Sequence, residues 1–507
     1  MKKRILSLLL VAAMLMSLLP AAFADATEYC GNDVSEPLTL VAYMLGDEQI
    51  DGSLVYEEIN KILKETINAT IEWKYLSWSE HGTKYPLLFT SQEDFDLIFT
   101  APAWAHYEEI VGMGGFEPIT NEWLEKCAPN LLEIIPEAAW AETLVDGVGY
   151  CVPAGEADLR SDVNAVRGDL LEAAGMTDIT NWEEFAQFCN WVAEHQSETG
   201  VSPYGPSSGG LLYEYEERNE LGLLLGLNYD LLFYHKLDPD NFTVEYLLDQ
   251  EWFPDYCKDM KALYEAGWWS KDSLASTSTF QENFLQGRAA TFRWNVGSVL
   301  NFLREADAAH PEWKVTYVDH QPEAYKQVEA YNNNDIAINA FSNKKDRALM
   351  ALDVLYSNKE ANRLLRYGIE GVHYTLADDG HFARTEQSDR YVAGANCPSW
   401  AIKNIAFKLE EYNPNPTIYE TKYEEDLKVW EALPYHELTL FTFDTSSVTT
   451  QISMINALQA QYYTPLMCGM VDDVDAAIAT LRAQLDMAGM QDILAEAQRQ
   501  ADARKPE

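Results

Sequence analysis

Leu38-Thr-Leu-Val-Ala-Tyr-Met-Leu45 is the stretch of the chain that first indicates its fold. Nearly all of its residues are apolar or β-branched, which is typical of a short buried strand. The next apolar residues, Val55, Ile59, Ile62 and Leu63, recur at the i, i+4, i+7 and i+8 positions of one helical face. The segment therefore predicts a strand followed by an amphipathic helix.

The same alternation of strand and helix patterns continues along the chain. Ile71, Trp73 and Tyr75 alternate with other residues, as they do in a half-buried strand. Phe95–Thr100 is another short apolar run. Because strands separated by helices are typical of α/β layers, the sequence predicts a parallel, doubly wound sheet.

A second unit of the same kind is predicted after Val152–Gly155, which reads as a connection between lobes. Val163–Met176 predicts a strand followed by a short helix. Thr180 and Glu183 have the spacing of a capping box and predict the start of an amphipathic helix. The apolar positions of that helix are Trp182, Phe185, Phe188, Cys189 and Val192.

The last part of the chain has a helical pattern over Asp473–Ala501, which Gly489 interrupts. Its apolar stripe, which favours packing against the rest of the protein, consists of Val474, Ile478, Leu481 and Leu485. Two α/β units joined by short crossings predict a cleft between them. Ligands of open α/β sheets bind beyond the carboxyl ends of the strands, so we expect function there.

The balance of charges excludes several classes of partner. The chain of 507 residues carries 81 acidic and 36 basic side chains, for a formal charge of -45. Such a surface repels nucleic-acid phosphates and anionic lipid headgroups. We therefore expect no nucleic-acid partner. Hydrophobic residues make up 47% of the chain, which is enough for packed cores in two lobes.

The first residues predict export. Lys2-Lys-Arg4 is a basic region ahead of a short apolar run, Ile5–Leu19, which has the length of a signal peptide and is short for a membrane span. Ala22-Phe-Ala24 fits the small-residue rule for cleavage. Residues 1–24 are thus the predicted signal peptide, and the mature chain begins at Asp25. We expect an extracellular or cell-envelope protein.

Cysteine usage bears on anchoring. The seven cysteines are widely spaced and include no C-x-x-C pair, so zinc and thioredoxin-type sites have no support. The spacing assigns no disulfide either. Cys30 is the residue that a lipid anchor would use, but a bacterial lipobox has Leu three residues before the cysteine and a small residue directly before it. Thr27 and Tyr29 stand there, so we expect Cys30 to be unlipidated.

No stretch nominates a catalytic or metal site. Gly205-Pro-Ser-Ser-Gly209 fits the G-x-S-x-G pattern of a nucleophile elbow. Nearby prolines interrupt the strand and helix that an elbow requires, so we predict a simple loop. Asp472, Asp473 and Asp475 lack the Gly and the distal Glu of an EF-hand and are interpreted as the acidic start of a helix.

The aromatic content favours a carbohydrate ligand. The chain has 14 Trp, 28 Tyr and 19 Phe. Pyranose rings stack their C–H faces on flat aromatic rings, although most aromatic residues belong to protein cores. Three aromatic residues are candidates for ligand binding. Tyr43 ends the first predicted strand, where a buried ring is the alternative. Trp104 lies in a loop after the strand Phe95–Thr100, and Trp78 is the third candidate, with a plain surface loop as the alternative. A secreted glycoside hydrolase or lyase stays the alternative, because the sequence cannot single out a catalytic carboxylate pair among so many acidic residues.

Several segments, in this order and spacing, resemble one family. Tyr367-Gly-Ile-Glu-Gly-Val-His-Tyr-Thr375 is similar to its Y-G-x-E-G-x-H-Y segment. Arg167–Gly175, Arg288–Trp294, Asn396-Cys-Pro-Ser-Trp400 and the tail Pro465–Gln500 are similar to other segments of the same proteins. The chain from Leu38 onward thus resembles the extracellular solute-binding proteins of carbohydrate ABC importers, family 1 type, in the larger LplA-like subgroup with a C-terminal extension.

The resemblance implies a two-lobed α/β fold of the periplasmic-binding-protein type II class. The implied lobes are residues 36–152 with about 330–395, and residues 153–329 with about 396–507. Such a protein captures a carbohydrate, here an oligosaccharide, and delivers it to the permease subunits of an ABC transporter. It acts as a monomer, has no cofactor and no metal, and is not an enzyme.

The resemblance also implies binding residues. Trp294 occupies the position at which similar proteins place a stacking aromatic ring, with a core position as the alternative. Asn332 and Asn333 lie at the expected return crossing between lobes, where a polar turn is the alternative. Glu370 and Tyr374 lie in the most specific segment, where Glu370 could also be structural.

Overall fold

The computed structural model describes residues 26–505 except 103, 158, 161, 206–210, 225–226, 228–229, 277, 320–326, 329–330, 379, 395, 414–415, 431–435 and 442. The predicted signal peptide and its cleavage site, and residues 206–209 of the G-x-S-x-G match, lie outside the described residues. Where described, the chain forms two compact units. Unit 1 comprises the chain up to Thr100, Gly114–Gly155 and Asn334–Tyr412. Unit 2 comprises Ala101–Met113, Glu156–Asn333 and the chain from Asn413 onward.

The strands and helices alternate along much of the chain. The strands are β1 (Glu28–Tyr29), β2 (Asn32–Asp33), β3 (Leu38–Leu45), β4 (Ala69–Leu76), β5 (Leu97–Thr100), β6 (Leu144–Val145), β7 (Val148–Gly149), β8 (Cys151–Val152), β9 (Leu159–Arg160), β10 (Asp162–Val166), β11 (Leu221–Leu223), β12 (Leu232–His235), β13 (Glu245–Tyr246), β14 (Thr291–Asn295), β15 (Thr316–Val318), β16 (Gln327–Val328), β17 (Asp335–Ile338), β18 (Tyr374–Leu376) and β19 (Phe382–Arg384). The helices are α1 (Gly52–Ile67), α2 (His81–Thr90), α3 (Tyr107–Gly112), α4 (Asn121–Cys127), α5 (Pro129–Ile134), α6 (Glu137–Glu142), α7 (Gly168–Ala173), α8 (Trp182–Glu194), α9 (Gln196–Thr199), α10 (Leu212–Arg218), α11 (Phe253–Glu265), α12 (Phe280–Leu285), α13 (Val296–Ala309), α14 (Lys345–Ser357), α15 (Lys359–Tyr367), α16 (Ile418–Trp430), α17 (Thr449–Asn456), α18 (Thr464–Met467), α19 (Val474–Met487) and α20 (Met490–Asp502).

Unit 1 is built on a mixed sheet with the strand order β4-β3-β5-β17-β8. β3 is parallel to β4 and β5, as the sequence predicts. β17 is antiparallel to both β5 and β8, with Asp335 opposite Thr100 and Ile336 opposite Val152. The prediction of a wholly parallel sheet is therefore wrong for this half of the sheet. β17 belongs to the last segment of unit 1, so no local strand–helix repeat determines its direction.

Helices complete the core of unit 1. The predicted apolar face of α1 is confirmed, since Val55, Ile59 and Leu63 are fully buried and Ile62 is partly buried. α14 is buried from Arg347 through Tyr356 and contacts α1, α4 and α5. A helix that is buried on all sides forms the centre of a unit rather than its surface.

Unit 2 contains two antiparallel three-stranded sheets, with the orders β14-β10-β15 and β11-β12-β13. Its largest core combines α8 with the C-terminal helices α19 and α20. Gly489, with φ +94°, separates these two helices where the sequence predicts a break. Val474, Leu481 and Leu485 are buried in this core, so the predicted apolar stripe packs against unit 2.

The N-terminus of α8 differs from its prediction by one residue. Asn181, not Thr180, is the N-cap, because its side-chain oxygen accepts a hydrogen bond from the Glu184 backbone N–H at 3.0 Å. The Glu184 carboxylate in turn accepts one from the Thr180 backbone N–H at 2.8 Å. Both pairs of residues offer suitable chemistry for a cap, so the pattern alone does not choose between the two registers.

The acidic residues before α19 form the start of that helix. Asp473 accepts a hydrogen bond from the Ala476 N–H at 2.9 Å, so the interpretation of the acidic residues there as a helix start is confirmed.

All seven cysteines lie among the described residues, where each is a free thiol and Cys30 is exposed. Within the described ranges, no helix has both the length and the apolarity that a membrane crossing needs. The same ranges contain no group of three or more His, Cys, Asp or Glu side chains that could hold a metal ion.

Candidate ligand-binding surfaces

The carboxyl ends of the parallel strands in unit 1 carry an ordered polar contact. β3 ends at Leu45 and is followed by Gly46, whose N–H donates to the Leu76 carbonyl of β4 at 2.7 Å. Beside it, the Trp78 indole N–H donates to the Asn396 side-chain oxygen at 3.0 Å. A Cβ atom on Gly46 would lie 1.7 Å from that oxygen, and Gly46 has φ +101°. Only glycine lets the segment 396–400 approach the strand ends this closely.

Three aromatic rings meet at this edge of the sheet. Trp400 stacks on Phe99 of β5 with ring centroids 4.7 Å apart and an interplanar angle of 22°. Trp78 meets Trp400 edge-on at 5.7 Å and keeps 42% of its surface exposed. We call Trp78, Asn396 and Trp400 the aromatic edge of unit 1. It combines an exposed ring with an amide group, which is the chemistry that binds sugar rings and hydroxyl groups.

Hydrogen bonds hold the chain on either side of Asn396 in place. The Gln49 side chain donates to the Val392 carbonyl at 2.6 Å and accepts from the Val392 N–H at 2.5 Å. Cys397 is fully buried, and its thiol lies 3.2 Å from the Leu365 carbonyl and 3.0 Å from the Tyr391 hydroxyl. Burial raises the pKa of the Cys397 thiol. The neutral thiol is therefore a structural donor that fixes the segment 396–400.

Tyr43, the first predicted binding residue, packs inside unit 1. Its ring meets Phe95 edge-on at 5.5 Å, and its hydroxyl donates to the Glu93 carboxylate. Burial, together with that carboxylate, raises the pKa of Tyr43. Only 7% of the residue is exposed, so a ligand role would need its hydroxyl edge and not its ring face.

Trp294 lies near the end of β14 in unit 2, opposite Val163 of β10. It is 46% exposed, whereas Phe292, two residues earlier on the same face, is fully buried and meets Phe284 at 5.2 Å. Asn295 then caps α13 by accepting from the Ser298 N–H at 2.9 Å. The strand thus presents the Trp294 ring at its end rather than within the core.

The Arg293 side chain extends from the other face of β14 and holds the strand in place. Its guanidinium group lies 3.5 Å from the centre of the Tyr213 ring and forms ion pairs with Glu217 at 3.0 Å and Asp162 at 3.5 Å. Desolvated guanidinium–aromatic contacts of this kind are among the stronger ones. The end of the strand that bears Trp294 is therefore rigidly held.

Trp104 and Asn333 are brought together in unit 2. The Trp104 indole N–H donates to the Asn333 carbonyl at 3.2 Å. Asn333 is half-buried, while the neighbouring Asn332 is 2% exposed. The contact uses the Asn333 backbone carbonyl, so it places the Trp104 ring beside this turn without involving the Asn333 side chain.

Glu370 and Tyr374 lie together in unit 1 but differ in exposure. The Gly371 N–H donates to the Tyr374 carbonyl at 2.6 Å and closes the turn between them. Tyr374 is buried against Tyr367 and Phe382, at ring distances of 5.8 and 6.2 Å. Glu370 is exposed. In the structure, Tyr374 thus supports the β18–β19 hairpin, and Glu370 is the member of the pair that faces solvent.

Asn396 and Trp400 are site residues that the sequence prediction omits. The segment Asn396–Trp400 carries part of the family resemblance, so it was visible as a pattern. Its place at the carboxyl ends of β3, β4 and β5 depends on contacts with Gln49 and Trp78, which are distant in sequence. Trp400 would have been a candidate if every aromatic residue in a family-like segment had been considered for the ligand-binding end of the sheet.

The fold is shared with solved sugar-binding proteins. The structure of the N-glycan transport solute-binding protein NgtS from Streptococcus pneumoniae, in complex with Man1GlcNAc, matches with a TM-score of 0.70 and 20% identity over 92% of this chain and 99% of that one. An HMO-binding, ABC-transporter-associated solute-binding protein from Bifidobacterium longum infantis matches with a TM-score of 0.64 and 14% identity over 93% of this chain and 100% of that one. The fold is thus that of the solute-binding proteins of ABC importers, which confirms the predicted fold class.

Sequence comparison gives the same class of relative. A carbohydrate ABC transporter substrate-binding protein of Streptococcus pneumoniae is 23% identical over an alignment of 509 positions, gaps included. The alignment covers 95% of this chain and 96% of the relative. A family described as "Domain of unknown function (DUF3502)" matches residues 437–505. That match contains α19 and α20, the helices of the predicted C-terminal extension.

Proposed function

We propose that this protein is the exported substrate-binding component of an ABC importer and that it binds an oligosaccharide. The observation that carries the proposal is the aromatic edge of unit 1, a partly exposed tryptophan beside an amide, in a chain that resembles carbohydrate-binding relatives over nearly its whole length. Its geometry is fixed before any ligand arrives, which reduces the ordering cost of binding. The protein delivers its ligand as a monomer to membrane permease subunits.

Calorimetry against a panel of neutral oligosaccharides tests the proposal. We expect at least one ligand with a micromolar Kd or tighter, about -8 kcal/mol. Trp78→Ala should weaken that binding by about 2 kcal/mol, since a central aromatic anchor is lost. The matched control is Trp123→Ala, because Trp123 is a half-buried surface tryptophan of unit 1 whose indole N–H bonds to Asp346 at 2.9 Å, in a different part of the unit. Equal losses in both variants would contradict a specific role for the aromatic edge.

A carbohydrate-active enzyme is the competing function. The proposed function requires that the sugars recovered after prolonged incubation be unchanged by mass spectrometry. Glu216 of α10 is the carboxyl group that such an enzyme would use as a general acid, because desolvation and the nearby Asp230 raise its pKa well above the usual carboxyl range. Cleavage that disappears in Glu216→Gln would replace transport by hydrolysis as the function.

A further inference from the structure

A groove of about 610 Å³ runs along the solvent side of α8 in unit 2. Trp182 and Trp191 line it near the two ends of the helix. They are nine residues apart, which corresponds to about 14 Å along a helix axis and about half a turn around it, so the two rings flank the groove from opposite sides. Ala186 lies between them on the helix, and Met176, which follows α7, also lines the groove. None of these residues belongs to the aromatic edge of unit 1.

Both tryptophan rings are held in place by neighbours that do not line the groove. His195 stacks on Trp191 with ring centroids 4.2 Å apart and an interplanar angle of 19°. The guanidinium group of Arg218 lies 4.8 Å from the Trp182 ring centre, and Trp268 packs against the same ring at 6.0 Å. The stack on His195 therefore fixes the orientation of the Trp191 ring where it lines the groove.

Between the tryptophans lies a row of exposed polar side chains. They are Glu183, Gln187, Asn190 and Glu194. Within the described part of the chain, the side chains of Glu183, Gln187 and Glu194 form no hydrogen bond. Two carboxylates and no basic group line the groove, so it disfavours uronic acids and other anions.

We propose that this groove is a second carbohydrate site, which binds a short neutral oligosaccharide. An ordinary solvent face of a helix is polar along its length, whereas this polar row is flanked by a large aromatic ring on either side. Rings that stack on C–H faces, with amides and carboxylates between them for hydroxyl groups, are the set of contacts that a sugar chain of this length requires. The site goes beyond the proposed transport function and does not depend on it.

Fluorine NMR on the full chain labelled with 5-fluorotryptophan tests the proposal. Single Trp→Phe variants assign the resonances, and the probes are malto-, cello-, xylo- and mannotetraose at millimolar concentration. We expect one of these sugars to shift the resonances of Trp182 and Trp191. Ala186→Gln fills the groove and should weaken this response at least tenfold. The matched control is Ala138→Gln, an exposed helical alanine of unit 1, which should leave the response unchanged.

The possible outcomes separate this site from the proposed function. A response of Trp78 and Trp400 alone overturns the groove and leaves the transport function supported. A response of Trp182 and Trp191 alone supports the groove while the proposed ligand surface fails. A response to tetralysine but to no sugar overturns the proposal in favour of a basic peptide partner. An equal response to tetragalacturonate overturns the charge argument, and therefore the proposed ligand class.

Discussion

Replacing Trp294 by alanine separates a ligand-facing ring from a structural one. A tryptophan of this kind buries roughly 150–250 Å² when fully enclosed, and Trp294 is 46% exposed. About half of that area at ~25 cal/mol per Å² gives roughly 2–3 kcal/mol, which is an upper bound because the unfolded chain also buries surface. Solvent fills the vacated space at the end of β14, so we expect Trp294→Ala to lower the free energy of unfolding by about 1–2 kcal/mol.

Phe292→Ala is the matched control on the same face of β14. Phe292 is fully buried, so its removal leaves a closed cavity and should cost about 3–5 kcal/mol of stability. If the Trp294 ring stacks on the ligand, Trp294→Ala should weaken binding by about 2 kcal/mol or more. The folded fraction of Phe292→Ala should instead bind nearly as the parent does.

Two measurements on each variant decide the matter: the urea midpoint of unfolding, and the Kd of the tightest oligosaccharide by calorimetry. Unchanged affinity in Trp294→Ala, together with a stability loss as large as that of Phe292→Ala, refutes the reasoning. The ring would then be structural despite its exposure.

Three further predictions concern unit 1 and the N-terminus. Gly46→Ala should destabilise unit 1 by at least about 2 kcal/mol in urea unfolding and abolish binding, because the new Cβ would lie 1.7 Å from the Asn396 side-chain oxygen. The control is Gly82→Ala, at an open helical position, which should be neutral or stabilising in the same measurement. Hydrogen bonds from Arg390 hold the pKa of Asp51 below its usual range. This stabilisation is present above the unfolded pKa, about 4, and is lost as the pH falls through the lower folded value. Arg390→Gln should therefore lower the Tm at pH 7, and this loss should shrink as the pH falls through the folded pKa of Asp51; a loss that does not depend on pH contradicts the mechanism. Intact mass of the exported protein should show a chain that begins at Asp25, and a diacylglyceryl mass on an N-terminal Cys30 contradicts that prediction.

Local patterns predicted the elements that local residues determine. The strand Leu38–Leu45 has its predicted bounds because its apolar run is continuous. Phe292 and Trp294 are two residues apart and share one face of β14, but only Phe292 is buried. The direction of β17 was not predictable in this way, since its partners, β5 and β8, come from earlier segments of the chain.

The candidate site was harder to predict because it depends on contacts between distant segments. Trp78 was named from its position after a strand, but its hydrogen bond to Asn396 joins residues more than three hundred positions apart. Tyr374 was named from a family-like segment, and the structure uses its ring to support a hairpin. A segment pattern identifies where a family has specific chemistry without distinguishing the side chain that faces the ligand from the one that supports it.

The position of β17 sets an order of events during synthesis. β5 and β8 come from the first part of the chain, but the strand that lies between them comes from the last segment of unit 1. Until that segment has been synthesised, the edge of β5 that pairs with β17 has no partner strand. Unpaired strand edges promote pairing with other chains. Unit 1 can therefore reach its final form only after the intervening part of unit 2 has been made. Truncated products that end before Asp335 lack β17, so we expect them to leave this edge of β5 unpaired and to aggregate.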